Sequence, residues 1–256
     1  MNKRRRYINP PIEEALCEFR FEPGMGWDPT IPGKLQVKLG SEYTGKPQQG
    51  RFVEVELGSK EGGPPNLRLH QGPEKVQLVK EDGKRMVGIG PDILSIHMLH
   101  PYQDPSNPQA SGWDEFEPRI SDALEAYRSI SEPTGVRRIG VRYINKIIIP
   151  QKSVRVEDYL KCALPDISGL PDRLNNFMSR VDYVYEDGVH LILSQGPVNA
   201  PLDHVAFLLD LDVIWESSEP LALDKTLERV NDLRVREREA FETVITDKAR
   251  ELFDAN

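Results

Sequence analysis

The run from Arg137 to Pro150, RRIGVRYINKIIIP, constrains the fold more than any other part of the chain. In an extended strand, alternate side chains point to opposite faces. Ile139, Val141, Tyr143, Ile147 and Ile149 then share one face with Asn145, while Arg138, Arg142 and Lys146 share the other with Gly140, Ile144 and Ile148. One face is apolar and the other half apolar, half cationic. Such a strand needs neighbours on both sides and is expected inside a sheet. Pro150 ends it, because proline has no N–H to give to a ladder.

The rest of the chain reads as elements around this strand. Ala15, Cys17, Phe19 and Phe21 alternate with Glu18, Arg20 and Glu22, which predicts a half-buried strand over 15–22. A short helix follows, with Thr30 as N-cap, Pro32 in the first turn and Ile31, Leu35 and Leu39 inward. Strands are expected over 51–57, 67–70, 76–79, 85–89 and 93–99. Gly62-Gly63-Pro64-Pro65 reads as a loop, and Glu81-Asp82-Gly83-Lys84 as a hairpin with a type I′ turn. A longer helix begins after 112, with Asp114 and Glu115 in its first turn and a stripe of Phe116, Ile120, Ala123, Leu124 and Tyr127. Beyond the organising strand the order returns. There is a short helix over 156–164, strands over 180–185 and 189–193 around Glu186-Asp187-Gly188, a strand over 207–215 and a mostly helical stretch over 221–253. The repetition predicts an α+β protein of two similar halves, residues 1–134 and 135–256. Each half is a curved antiparallel sheet with a short helix and a long packing helix.

Composition narrows the setting. With 256 residues, 38% of them hydrophobic, the chain can bury a sizeable core. No apolar run approaches the roughly 20 residues of a membrane span. The basic start, Met1 to Arg6, runs into Ile8-Asn9-Pro10-Pro11 and not into an apolar signal core. Two cysteines, Cys17 and Cys162, make neither a disulfide framework nor a thiolate metal site. A cytoplasmic protein with no membrane role is expected. The net charge of -8 argues against broad, sequence-independent nucleic-acid binding, which depends on neutralising phosphates.

Several segments carry a resemblance: Pro10 to Phe21 (PPIEEALCEFRF), Gly90 to Ser95 (GPDILS) and His100-Pro101-Tyr102. Others are the helix start at Trp113, Phe116 and Pro118-Arg119-Ile120, Arg138 to Asn145 (RIGVRYIN), Leu209 to Asp212 (LDLD) and Ile245 to Phe253 (ITDKARELF). Together they resemble a sporadically distributed family of uncharacterised bacterial proteins of about this length. The resemblance spans nearly the whole chain and implies no established activity. The family's sporadic distribution suggests a mobile or defence-associated gene system.

Candidate chemistry is sparse. Asp210 and Asp212 lie two apart on a strand, so both carboxylates reach one face. They are suited either to a divalent cation or to cations on a neighbouring strand, for which Arg138, Arg142 and Lys146 are the obvious partners. With no third acidic ligand in a telling place, ion pairing is the expectation, and no metal or cofactor is assigned. Tyr143 and Asn145 share the apolar face as a core tether or as the floor of a ligand cavity. Cys17 reads as a small buried hydrophobe. The five histidines show no ligand spacing, and no phosphate-binding loop or nucleophile elbow is present. Arg234, Arg236 and Arg238 interrupt the stripe of the last helix and are expected to meet solvent or a partner. The resulting expectation is a non-enzymatic binding or regulatory component whose partner is another protein, with a homo-oligomer left open. The alternatives are a metal-dependent enzyme acting on nucleic acid or nucleotides through Asp210 and Asp212, and a small-molecule binder using the space between helix and curved sheet.

Overall fold

The computed structural model describes residues 5–24, 26–58, 66–104, 111–161 and 176–254. In chain order these form β1 (Ile12–Glu22), α1 (Ile31–Leu39), β2 (Gln48–Gly58), β3 (Asn66–Val79), β4 (Arg85–Gly90) and β5 (Ile93–Leu99). They continue with α2 (Trp113–Ser131), β6 (Gly135–Ile149), β7 (Ser179–Val184), β8 (His190–Val198), β9 (Val205–Leu221), α3 (Thr226–Val244) and α4 (Asp247–Asp254). The strands make one antiparallel sheet of nine, in the order β2-β3-β4-β5-β1-β6-β9-β8-β7.

The organising strand, β6, lies between β1 and β9. Its register with β1 runs from Ile12↔Asn145 to Glu22↔Gly135, and with β9 from Val136↔Leu221 to Ile149↔Val205. Two separate curved sheets are therefore corrected to one. The backbone edges of β1 and β6 are both long and apolar on one side, and pairing them satisfies each other's ladder groups.

The inward face of the sheet and the helices make one core. Cys17, Phe19, Ile139, Val141, Leu209 and Leu211 are fully buried in it, with Phe116 and Ile120 of α2 and Leu233 of α3. Phe21 stacks on Tyr127 at 4.5 Å, which fixes α2 across β1. Rings stacked at that separation hold each other beyond their area burial. No helix among the described residues is long and apolar enough to cross a membrane.

Local chemistry departs from expectation at four places. The β3–β4 turn is not type I′, since Gly83 (φ +71°) takes a positive φ and Asp82 does not. Asp82 instead accepts the Lys84 N–H at 2.9 Å, which spares it the left-handed conformation that costs a side chain. Residues 67–70 and 76–79 belong to one continuous strand, β3; residues 62–65 and Cys162 lie outside the described residues. The expected helix over 156–164 shrinks to a 3-10 turn at Val156–Asp158, because Leu160 leaves to bridge Ile245; residues 162–164 are not described. The last helix is two. Ile245 is extended (φ -79°, ψ 154°) and separates α3 from α4.

Candidate functional site

The period of two sends the residues singled out in β6 to opposite sides of the sheet. On the face away from the core they join an ionic layer. Arg142 grips Asp210 with both arms, Nε to Oδ1 at 2.8 Å and Nη2 to Oδ2 at 2.7 Å, the bidentate geometry that suits guanidinium and carboxylate. Arg138 donates to Glu18 at 2.9 Å, and Lys75 reaches the same carboxylate at 2.8 Å. Glu14 pairs with Nδ1 of His97 at 2.7 Å. Asp212 stands opposite Arg142 in the β6–β9 register. Burial pushes its carboxyl up to about 6 although Arg138 and Arg142 favour the charge. Lys146 lies further along this face, half-buried, without a described ion pair. Both oxygens of Asp210 are engaged by Arg142. Among the described residues no group of three His, Cys, Asp or Glu side chains is gathered for a metal ion.

On the core face, Asn145 donates to the Leu209 carbonyl at 3.1 Å and to that of Tyr143 at 3.4 Å. The Tyr143 hydroxyl meets the Tyr102 hydroxyl at 2.9 Å, and the two rings stand edge to face at 5.6 Å. Over Tyr143, 4.5 Å from its centroid, lies the guanidinium of Arg234, which is also 5.5 Å from the Trp113 ring.

That placement corrects the reading of Arg234 as partner surface. The inward stripe of α3 runs through Val230, Leu233, Glu237, Ala240 and Phe241 without a break. Arg234 and Glu237, three apart, are ion-paired at the inner side of the helix, with side chains 13% and 4% exposed. Two opposite charges on one helical turn neutralise each other, and the aromatic faces take the guanidinium where water would otherwise be needed. Arg236 is also engaged, gripping Asp187 of the β7–β8 turn at 2.7 and 2.6 Å. Arg238 donates to the Arg5 carbonyl.

Around this pair opens a cavity of about 90 Å³ between the start of α2, the middle of α3, β6 and the segment before β1. Four arginines (Arg5, Arg6, Arg234, Arg238) and three carboxylates (Asp114, Glu237, Glu242) line it, so a chain acidic overall is locally balanced here. Arg6 pairs with Asp114 at 2.6 Å, and the Tyr7 hydroxyl donates to Glu242 at 2.8 Å. Burial pushes the Glu237 carboxyl up to about 7, against the pull of Arg234 and Arg238. Burial likewise raises the Tyr143 phenol. Burial works against the Arg234 charge, and Tyr143 and Glu237 more than restore it.

Two buried polar atoms at this cavity have no hydrogen-bond partner: Oγ of Ser111 and Nε of Arg234. Ser111 is 3% exposed and stands one residue before Gly112, the N-cap of α2, which has no side-chain cap. Perturbed ionisable groups, unsatisfied donors and a concave shape together make this cavity the candidate site.

Of the residues singled out in the sequence, Tyr143, Asn145, Arg234 and Arg238 meet at the cavity. Arg138, Arg142, Lys146, Asp210 and Asp212 do not, and Arg236 lies apart. Ser111 escaped sequence reasoning, Tyr102 entered it only within the resembling segment His100-Pro101-Tyr102, and Glu237 reads there as part of the charged run that meets solvent or a partner. The signal for Glu237 was its place on the α3 stripe beside an oppositely charged residue three positions away. Comparison of the chain with known protein families, with curated proteins and with solved structures finds no match.

Proposed function

We propose that the protein is a non-enzymatic binding component that holds a small polar ligand in the cavity between α2, α3 and β6. The observation that carries this reading is the buried Arg234–Glu237 pair with an unsatisfied guanidinium nitrogen facing a cavity. Burying an ion pair costs several kcal/mol per ion in desolvation, which the mutual attraction only offsets when every donor is used. An arrangement left one donor short is better explained by a ligand than by stability. Catalysis by a serine nucleophile finds no support here, because the Ser111 hydroxyl has no partner and so no base to activate it. Arg142, by engaging both oxygens of Asp210, weighs against a divalent-cation site at Asp210 and Asp212.

The cavity also lies at the seam between residues 1–134, which give α2, and 135–256, which give β6 and α3. We read these halves as structurally related. Supporting this, the strand order outward from the central pair is β1-β5-β4-β3-β2 on one side and β6-β9-β8-β7 on the other, so both runs step outward through antiparallel neighbours and the first carries one extra edge strand, β2. A long helix follows the last strand of each half, α2 after β5 and α3 after β9. Ligands favour such seams because two rigid units can present groups to one point.

The test is a thermal-shift screen of small polar metabolites against the wild type and Ser111→Leu, whose larger side chain fills the cavity. Ligands that raise the melting temperature of the wild type only are expected. A screen without hits, or hits that persist in Ser111→Leu, removes the reading.

A further inference from the structure

We infer that Arg234 and Glu237 form an exchangeable ion pair: the cavity takes a small oxyanion, a carboxylate or phosphate group, onto Arg234, and Glu237 releases the guanidinium by accepting a proton from solvent. This rests on the cavity being a ligand site and adds the class of ligand and the linkage.

Three observations converge. A guanidinium has five N–H donors, and the buried Nε of Arg234 is unused. The Ser111 hydroxyl, also buried and unused, lines the same cavity. It stands at the N-terminal end of the 19-residue helix α2, whose start has no side-chain cap. The amides of a helix start and its dipole favour negative charge. An oxyanion accepts from all three, beside the first-turn carboxylates Asp114 and Glu115 that already face the dipole.

Size limits the ligand. The cavity is small, about 90 Å³. That suits a phosphate or carboxylate head group, with any larger remainder of the ligand left outside the cavity.

Charge then dictates the proton. The titratable and charged groups that line the cavity with Glu237 are Arg234, Arg238 and Glu242 on its own helix, Tyr143 of β6, Tyr102 from the β5–α2 connection, Asp114 of α2, and Arg5, Arg6 and Tyr7 before β1. Asp114 and Glu242 already have Arg6 and Tyr7 as partners. An incoming anion therefore competes with Glu237 for Arg234. Two anions beside one buried cation are unfavourable, and the most buried carboxyl is the one that neutralises. The ligand stays charged, the proton comes from bulk water, and no covalent bond changes.

The experiment follows the Trp113 indole N–H by NMR during titration with sodium sulfate and, separately, sodium acetate. Neither anion titrates appreciably between pH 6 and 8, and the resonance is assigned by its loss in Trp113→Phe. With Glu237 at about 7, the binding-competent fraction falls about tenfold from pH 6 to pH 8, and the affinity of the wild type is expected to fall by the same factor. In Glu237→Gln the pH dependence should vanish and affinity at pH 8 should rise by about tenfold. Ser111→Ala should weaken binding at every pH. Sulfate alone points to a phosphate-bearing ligand, acetate alone to a carboxylate, and either supports the proposal. Binding of neither anion overturns it, as does anion binding that ignores both pH and Glu237→Gln. If metabolites from the thermal-shift screen still bind while both anions fail, the oxyanion assignment falls and the cavity remains a ligand site. If none binds, both readings fall.

Discussion

At the scale of residues, the molecule places carboxylates in two opposite electrostatic regimes. Glu14 and Glu18 are held below their ordinary range: burial opposes their charge, and the groups beside them, the His97 hydrogen bond and Arg142 for Glu14, Lys75 and Arg138 for Glu18, outweigh it. Their stabilising contribution is present above the unfolded carboxyl range and is lost as pH falls through their folded values. Glu237 and Asp212 behave in reverse, pushed up to about 7 and about 6 by burial. Between about pH 4.5 and about pH 7 the folded chain holds protons on these two that the unfolded chain has released. Stability therefore falls as pH rises through that window. Urea midpoints measured from pH 5 to 8 should decline for the wild type, and the decline should be shallower in Glu237→Gln. An equal slope in the variant means that Glu237 is not a buried titrating group.

At the scale of elements, the C-terminal helix and the N-terminal segment hold each other. The Tyr7 ring stands edge-on to Phe253 at 5.3 Å and to Phe241 at 6.2 Å, and the Asn9 N–H donates to the Phe253 carbonyl at 2.8 Å. Phe253 is 4% exposed, so α4 is docked and not frayed. Phe253→Ala is expected to cost about 3 kcal/mol, read from denaturant unfolding, and to speed hydrogen exchange at the Asn9 amide. Slow exchange at Asn9 in the variant would show that the segment before β1 is held by other contacts. The break before α4 was not legible, because Val244, Ile245 and Leu252 continue the 3.6-residue stripe of α3. Only the pairing of Ile245 with Leu160, remote in sequence, pulls the backbone out of the helix.

At the scale of the whole molecule, the β1–β6 pair makes the halves one folding unit. It is flanked by strands on both sides, and the Tyr102–Tyr143 hydroxyl contact joins residues 1–134 to residues 135–256 directly. Trp113 and Trp215 report on opposite sides of this seam. Single-tryptophan variants retaining one or the other should unfold at the same urea concentration, as expected of one cooperative unit. Separated midpoints would mean that residues 1–134 and 135–256 are independent domains.

The amino-acid sequence by itself determined which residues face the core. Period-2 alternation in 15–22 and 137–149, the stripe of α2 and the glycine turns at Gly83 and Gly188 are local properties, set by backbone geometry within a few residues. Its α+β character with antiparallel strands followed from these. What only the tertiary structure decided depended on contacts between distant segments. That strands from both halves share one sheet was settled by which free edges met. That Arg234 and Glu237 point inward was settled by Tyr143, Trp113 and Tyr102, the aromatic surroundings that make buried charge tolerable. A charged pair on a helix reads as solvated until the opposing surface is known, because the cost of burying it depends on partners that the helix does not carry.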